Sequence, residues 1–242
     1  MKRKMFLFLI LFGFAVTGLS QKKASASENR APVQPEIYPP SAQVHGRGQV
    51  DWLISFWEWT LRVRADRNPV FDATGQFCRE DQSGKLFYLS SMFIIPGGTA
   101  VRNCTVPSDV SVYIPILGTF CSPVTDGTTT TTESRACARA YGDNVVNTQL
   151  WINNQPTDFT RHRFTGGPFS LNVPDGNIFE LFGFPPGGFE IENGILDGYS
   201  VILKPMRPGQ HRIRVYGENN QFPGFFWDIT YNLNVTPSAN DH

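Results

Sequence analysis

Residues 225–235 read FFWDITYNLNV, with Phe225, Trp227, Ile229, Tyr231, Leu233 and Val235 at every second position and Asp228, Thr230, Asn232 and Asn234 between them. Successive side chains of a strand point to opposite faces, so this alternation predicts a long strand with one buried face. Such a face must be covered by another layer, which restricts the chain to sheet-based architectures. Other runs have the same character: LFYLSSMFII (86–95), TAVRNCTVP (99–107), VSVYIPILGTFC (110–121), FSLNV (169–173), GYSVIL (198–203) and HRIRV (211–215). The first three are expected to form an antiparallel meander. Between FEIE and ILDG (189–198), Asn193-Gly194 predicts a hairpin, because this dipeptide accepts the left-handed backbone that a two-residue turn requires.

Helical signals are confined to the first half. With Asp51 as N-cap, residues 52–63 place Trp52, Phe56, Trp59 and Val63 on one stripe, and Leu53, Ile54, Trp57 and Leu61 continue around it. Only Ser55, Glu58 and Arg62 are left as a narrow polar strip, with Glu58 and Arg62 spaced for a surface ion pair. A membrane-surface helix has a wide basic face instead, so the tryptophans are read as the seed of a core. Asn68-Pro69 is expected to end this helix. Thr130 with Glu133 three residues later predicts a capping box before a short second helix, ESRACARAY.

The first 26 residues read as a secretory signal peptide: Lys2, Arg3 and Lys4 precede an apolar stretch from Met5 to about Val16, and Ala24-Ser25-Ala26 supplies the small residues for cleavage. Cleavage after Ser20 is the alternative. No later segment approaches the roughly 18 consecutive apolar residues of a membrane span. Removing residues 1–26 takes away five basic residues and no acid, leaving 16 Lys and Arg against 21 Asp and Glu, a net charge of minus five. Nucleic acid is therefore an unsuitable partner. Residues 27–46, rich in proline and polar groups, are read as an extended leader, and 47–242 as a single β-rich domain.

In an oxidising compartment the four cysteines, Cys78, Cys104, Cys121 and Cys137, are expected as disulfides. Of three possible pairings, the local loops favour Cys78 with Cys104 and Cys121 with Cys137. No Cys-x-x-Cys spacing supports zinc, and no metal or cofactor is expected.

Catalytic motifs are lacking: there is no Gly-x-Ser-x-Gly elbow, His-Glu-x-x-His, phosphate-binding glycine loop or Asp-rich calcium loop. Isolated candidates are the basic cluster Arg161-His162-Arg163, suited to a carboxylate or sulfate, an inward-facing His211 on its strand, and Glu58 among the tryptophans. Glu190 and Glu192 share one side of a strand. Asn103 and Asn234 head Asn-x-Thr glycosylation signals. The least ordinary feature is the pairing of aromatics with Pro-Gly turns in FELFGFPPGGF (179–189) and QFPGFFW (221–227). Phe182, Phe184, Phe189, Phe222 and Phe225 are accordingly candidates to line a ligand groove at the loop end of a sandwich.

The spaced set Trp52, Trp57-x-Trp59, Asn68-Pro69-x-x-Asp72-x-x-Gly75-x-x-Cys78, Gln82-x-Gly84, Arg102-x-Cys104-x-Val106-Pro107 and Asp197-Gly198-Tyr199 through Pro205-x-x-Pro208-Gly209-x-His211-x-Ile213 resembles a family of secreted, mostly bacterial proteins with no established activity. The resemblance spans nearly all of the expected mature chain and carries no functional residue with it. PGQHRIRV followed by FFWDITYNLNV also looks like the last two strands of many immunoglobulin-like domains. The expectation is thus a mainly β protein, an antiparallel β-sandwich of immunoglobulin-like or jelly-roll-like type with one aromatic N-terminal helix and a short second helix. Its expected role is a secreted or periplasmic, non-catalytic binding module for carbohydrate or an envelope protein. A hydrolase with Asp or Glu and His assembled by folding, and a structural envelope protein, are the alternatives.

Overall fold

The alternating run at the C-terminus forms β9 (Phe226–Thr236), whose Trp227, Ile229, Tyr231, Leu233 and Val235 are all buried. In the computed structural model residues 34–93 and 97–238 are described; the expected signal peptide and the first part of the leader lie outside them. β9 is an interior strand of a five-stranded sheet ordered β2 (Gly97–Pro107), β9, β8 (Gly209–Asn219), β4 (Val145–Ile152), β5 (Gln155–Pro156). The second sheet runs β1 (Leu86–Tyr88), β3 (Ser111–Cys121), β7 (Phe189–Leu203), β6 (Arg163–Val173). The orders β3-β7-β6 and β9-β8-β4 correspond to B-E-D and G-F-C of immunoglobulin-type sandwiches.

Two apolar layers hold the fold together. Between the sheets, Val112, Ile114 and Ile116 of β3 with Val201 and Leu203 of β7 meet Ile213, Val215 and the inward side chains of β9. On the opposite face of the four-stranded sheet lies α1 (Gln49–Arg62), which buries Trp52, Leu53, Phe56, Trp57, Trp59 and Leu61. Phe56 stacks on Tyr113 and Trp59 on Tyr88, with ring centroids 5.1 and 5.4 Å apart, pairs worth about 1 kcal/mol each beyond simple burial. The molecule is therefore a β-sandwich with a helical third layer, and the tryptophans of α1 belong to a core.

Several local expectations need correction. α1 begins at Gln49 with Gly48 as N-cap; Asp51 sits one turn in, where its Oδ2 accepts from Gly48 N at 3.0 Å. Arg62 pairs with Asp81 at 2.6 Å, and Glu58 is exposed, which removes the reading of Glu58 as a buried acid. Asn68 does stop the helix, through Nδ2 donated to the carbonyls of Thr60 and Val63. Residues 86–121 do not form a meander: β1 pairs with β3 in parallel, and β2 crosses to the other sheet to pair in parallel with β9. Inward alternation is identical for strands of either sheet, so the pattern carried no information about partner.

Asn193-Gly194 makes no hairpin. β7 runs straight through it, and one extra β7 residue is absorbed between the pairs Phe169–Gly194 and Leu171–Ile191 as a bulge, with Asn193 at φ +53°. A Cβ on Gly194 would lie 2.6 Å from the Phe169 ring, so the glycine serves close packing as well. The described part of the leader is docked: Tyr38 N donates to Ile202 O, Lys204 N donates to Glu36 O, and Val44 is buried. Strand β4 carried no clear sequence signal.

The second helix, α3 (Thr131–Asp143), follows the one-turn helix α2 (Pro123–Asp126). Thr130 Oγ1 accepts from Glu133 N at 3.1 Å, while the Glu133 carboxylate reaches past it to Thr129 N. Both disulfides pair as expected, Cys78–Cys104 and Cys121–Cys137. Among the described residues no helix is long and apolar enough to cross a membrane.

Candidate functional site

One end of the sandwich is built by the segments that the strands hand over to one another. Ser122 caps α2 by accepting from Thr125 N, and its own N–H donates to Asp126 Oδ2 at 2.9 Å. Gly127 then leaves in the left-handed conformation, φ +67°, and the chain enters α3. Cys137 ties α3 to the end of β3 at Cys121, and Tyr141, one turn later, faces the same way. The β8–β9 loop is fixed against α3 by Asn219: Nδ2 donates to Tyr141 O and Oδ1 accepts from Gln221 N, both at 2.9 Å. Phe225 N closes the loop onto Phe222 O.

These elements enclose a pocket of about 230 Å³. One wall consists of Tyr141, Phe222, Phe225 and Trp227, a chain of rings at centroid distances of 6.0, 6.1 and 5.9 Å. Trp57 and Phe93 line it too, as do Ser91, Met92, Gly118, Thr119 and Gln221. Asp126, which is exposed, supplies the one charged side chain of the lining. Burial pushes the Tyr141 phenol upward, so it stays neutral across the physiological range. Trp57 and Trp227 are each only 5% exposed, and the indole Nε1–H of both is buried without a hydrogen-bond partner. By contrast Trp52 and Trp59, on the same helix as Trp57, donate to Val44 O and Glu80 O.

Residues 90–91, beside the pocket, are held by a buried cation. Arg102 donates Nε to Asp72 O at 2.7 Å and Nη1 to Ser90 O and Ser91 O at 2.6 and 3.0 Å, and Tyr231 OH also donates to Ser90 O. A buried charge is costly unless its donors are used; these carbonyls take up Nε and Nη1, while Nη2 is buried without a partner. Arg102 shares parity with buried Ala100, Cys104 and Val106 on β2, an arginine at an inward position; that was its sequence signal.

No protein-family model and no curated protein matches the chain. Among solved structures, one chain of the structure of PbICP-C in complex with falcipain-2 aligns at 13% identity and a TM-score of 0.24, over 63% of this chain and 100% of its own length. Superposition at that level carries no argument about fold or function.

The structure brings some sequence candidates together and separates others. Phe222, 41% exposed, and Phe225 line the pocket. Phe182, 47% exposed, stands outside it and backs the pocket's Phe93 at 5.6 Å. Phe184 and Phe189 stack on each other at 5.8 Å and pack with Phe179, away from the pocket, so the two phenylalanine-rich loops do not form one groove.

Arg161, His162 and Arg163 do not converge. Arg161 is exposed, His162 is buried with Nε2 on Tyr38 O at 3.1 Å, and Arg163 bridges Asp197 and Asp143 at 2.7 Å each. Three neighbours on a strand entry alternate in direction, so a basic tripeptide cannot present all its charges to one anion. His211 is half-buried, accepting at Nδ1 from Asn153 and donating at Nε2 to Arg207 O. Glu190 and Glu192 stand exposed on either side of buried Ile191, and Asn103 and Asn234 are both exposed. The donor atoms of Cys121, Asp126 and Cys137 lie within 4.8 Å of one another, but both sulfurs are committed to the disulfide.

Proposed function

We propose that this chain is an exported, non-catalytic binding module that receives an apolar group in the aromatic pocket at the loop end of its sandwich. The observation carrying this reading is the lining itself: six aromatic rings and Met92 enclose the space, with a single carboxylate among them. Ligand sites of this kind draw their affinity from apolar burial and their orientation from a few polar groups. General acid–base chemistry needs a proton donor and acceptor converging on one substrate, whereas the partners of His162 and His211 are main-chain oxygens and Asn153. A sugar needs many hydrogen-bonding side chains around its hydroxyls, which favours an apolar ligand over carbohydrate. The disulfides, the signal-like N-terminus and the resemblance to secreted bacterial proteins support export.

The test is a titration of the purified protein with toluene, followed by tryptophan emission, beside Thr119→Phe, which fills the pocket. A saturable change in the parent that is absent from a folded Thr119→Phe variant is expected. A parent that gives no saturable response, or a variant that responds equally, removes this reading. A glycan array is expected to be silent.

A further inference from the structure

We infer that the pocket is selective for a small aromatic molecule carrying a quaternary ammonium group, whose ring enters the apolar interior and whose charge rests at the mouth between the Asp126 carboxylate and the aromatic rings. This rests on the binding reading above and specifies the ligand.

Three observations set the class. The first is charge. Asp126 is the one charged side chain of the lining, and among the described residues no lysine, arginine or histidine lines the pocket. Arg102 lies outside the lining, with Nη1 turned onto the carbonyls of Ser90 and Ser91. An entering anion meets Asp126 and no counter-charge, whereas a cation finds one. The carboxylate is also held in place: Oδ2 accepts from Ser122 N and from the Thr125 hydroxyl, and Oδ1 takes no hydrogen bond from the described residues.

The second is the rings. An aromatic face attracts a cation, and several rings around one space make the cage in which methylated ammonium groups are bound. Six rings line this pocket, and they meet their ring neighbours at inclinations of 51° to 84°. Ring pairs that stack, such as Phe56 on Tyr113, lie elsewhere, so among the described residues no pocket ring has a face covered by a parallel ring.

The third is size and layout. An apolar cavity of about 150 Å³ holds benzene, so a space of about 230 Å³ takes one substituted ring. Asp126 and Phe222 are exposed while Met92, Trp57 and Trp227 are buried, which sets a mouth and a floor. The Asp126 carboxylate lies within 4.8 Å of Cys137 Sγ, and Tyr141 follows Cys137 by one turn of α3, so the carboxylate and the Tyr141 ring border the same side.

A quaternary ammonium suits such a mouth better than a primary one. It has no N–H to strip of water, and one fixed carboxylate does not replace the hydrogen bonds that a primary ammonium makes in solution. The hydroxyls of Ser91, Thr119 and Tyr141 in the same lining are neutral and serve any polar ligand, so they do not set its charge.

The experiment compares phenyltrimethylammonium with tert-butylbenzene, which has the same shape without the charge, and with benzoate, by titration followed by tryptophan emission. The first two compounds neither donate nor accept conventional hydrogen bonds, so the ratio of their affinities reads charge alone. Phenyltrimethylammonium is expected to bind roughly tenfold more tightly than tert-butylbenzene, the scale of a partly desolvated cation–π contact, and benzoate more weakly than either. Asp126→Asn combined with Phe222→Leu removes the carboxylate and one ring, so the ratio should fall to about threefold or less in that variant. The comparison in the parent decides by itself where the variant does not fold.

Phenyltrimethylammonium binding no better than tert-butylbenzene, benzoate binding as tightly as the cation, or a ratio unchanged in the folded double variant overturns the inference and leaves the binding reading standing on the toluene titration. Failure of phenyltrimethylammonium, tert-butylbenzene and toluene alike to give a saturable response overturns the two together.

Discussion

Replacing Cys121 and Cys137 together by alanine opens the disulfide that staples α3 to β3. The two residues are separated by 16 positions. Cross-linking removes loop-closure entropy from the unfolded chain as a constant plus a logarithm of loop length, which for this loop amounts to about 3 kcal/mol at 25 °C. Cys78–Cys104 closes a loop with a separation of 26, and the same relation gives about 3.5 kcal/mol. Two staples in different parts of the fold should thus differ by only about 0.4 kcal/mol, because the logarithm is insensitive to length. The assay is equilibrium urea unfolding of the parent and each double variant. Each variant should lose about 3 kcal/mol, and its denaturant slope should rise, because the freed chain exposes more surface when unfolded. The Cys121/Cys137 variant should also bind toluene more weakly, since that disulfide borders the pocket. A loss below about 1 kcal/mol with an unchanged slope would refute the entropic reasoning.

Gly142→Ala should destabilise by about 3 kcal/mol despite alanine's better helix propensity. A Cβ there collides with Asp197 Oδ1 and Arg163 Nη2, and separating that pair strands a buried charge; thermal unfolding checks it, and an unchanged midpoint counts against it. Asn193→Gly should be neutral to within about 0.5 kcal/mol and Asn193→Val should cost about 1 to 2 kcal/mol, because the bulge needs a left-handed backbone there; equal unfolding midpoints for the two would disprove the bulge. Burial pushes the Asp72 carboxyl up, but hydrogen bonds from Phe77 N, the Thr74 hydroxyl and Thr74 N outweigh it and hold the group below its ordinary value. With the folded value below the unfolded one, its contribution is complete above about pH 4 and fades as pH falls through the folded value. Asp72→Asn should therefore lower stability at neutral pH and flatten the acid side of the stability profile; a profile parallel to the parent's would contradict this.

Local chemistry was legible wherever a short segment contained its own reason. Alternation over 225–235 specifies β9, the apolar stripe of 52–61 specifies α1 and its buried face, Thr130 specifies the start of α3, and short loops specify the disulfide partners. Asn193-Gly194 was half legible: it signals a left-handed backbone, and both a hairpin and a bulge satisfy that signal. The choice fell to the neighbours, since β6 pairs with β7 on both sides of the bulge and β3 pairs with the residues after it, from Ile195 to Leu203.

The sequence by itself determined the long strands, the two main helices and which of their faces are apolar, and it favoured the cysteine pairing that forms. Only the tertiary structure decided that β2 leaves its neighbours for β9, that residues 34–46 dock, and that Phe222 reaches the pocket while Phe184 does not. The physical reason is that periodicity and capping act over a few residues. Strand partners and pocket walls are set instead by contacts between segments far apart in the chain, among them Trp57 of α1 and Trp227 of β9, which line one cavity.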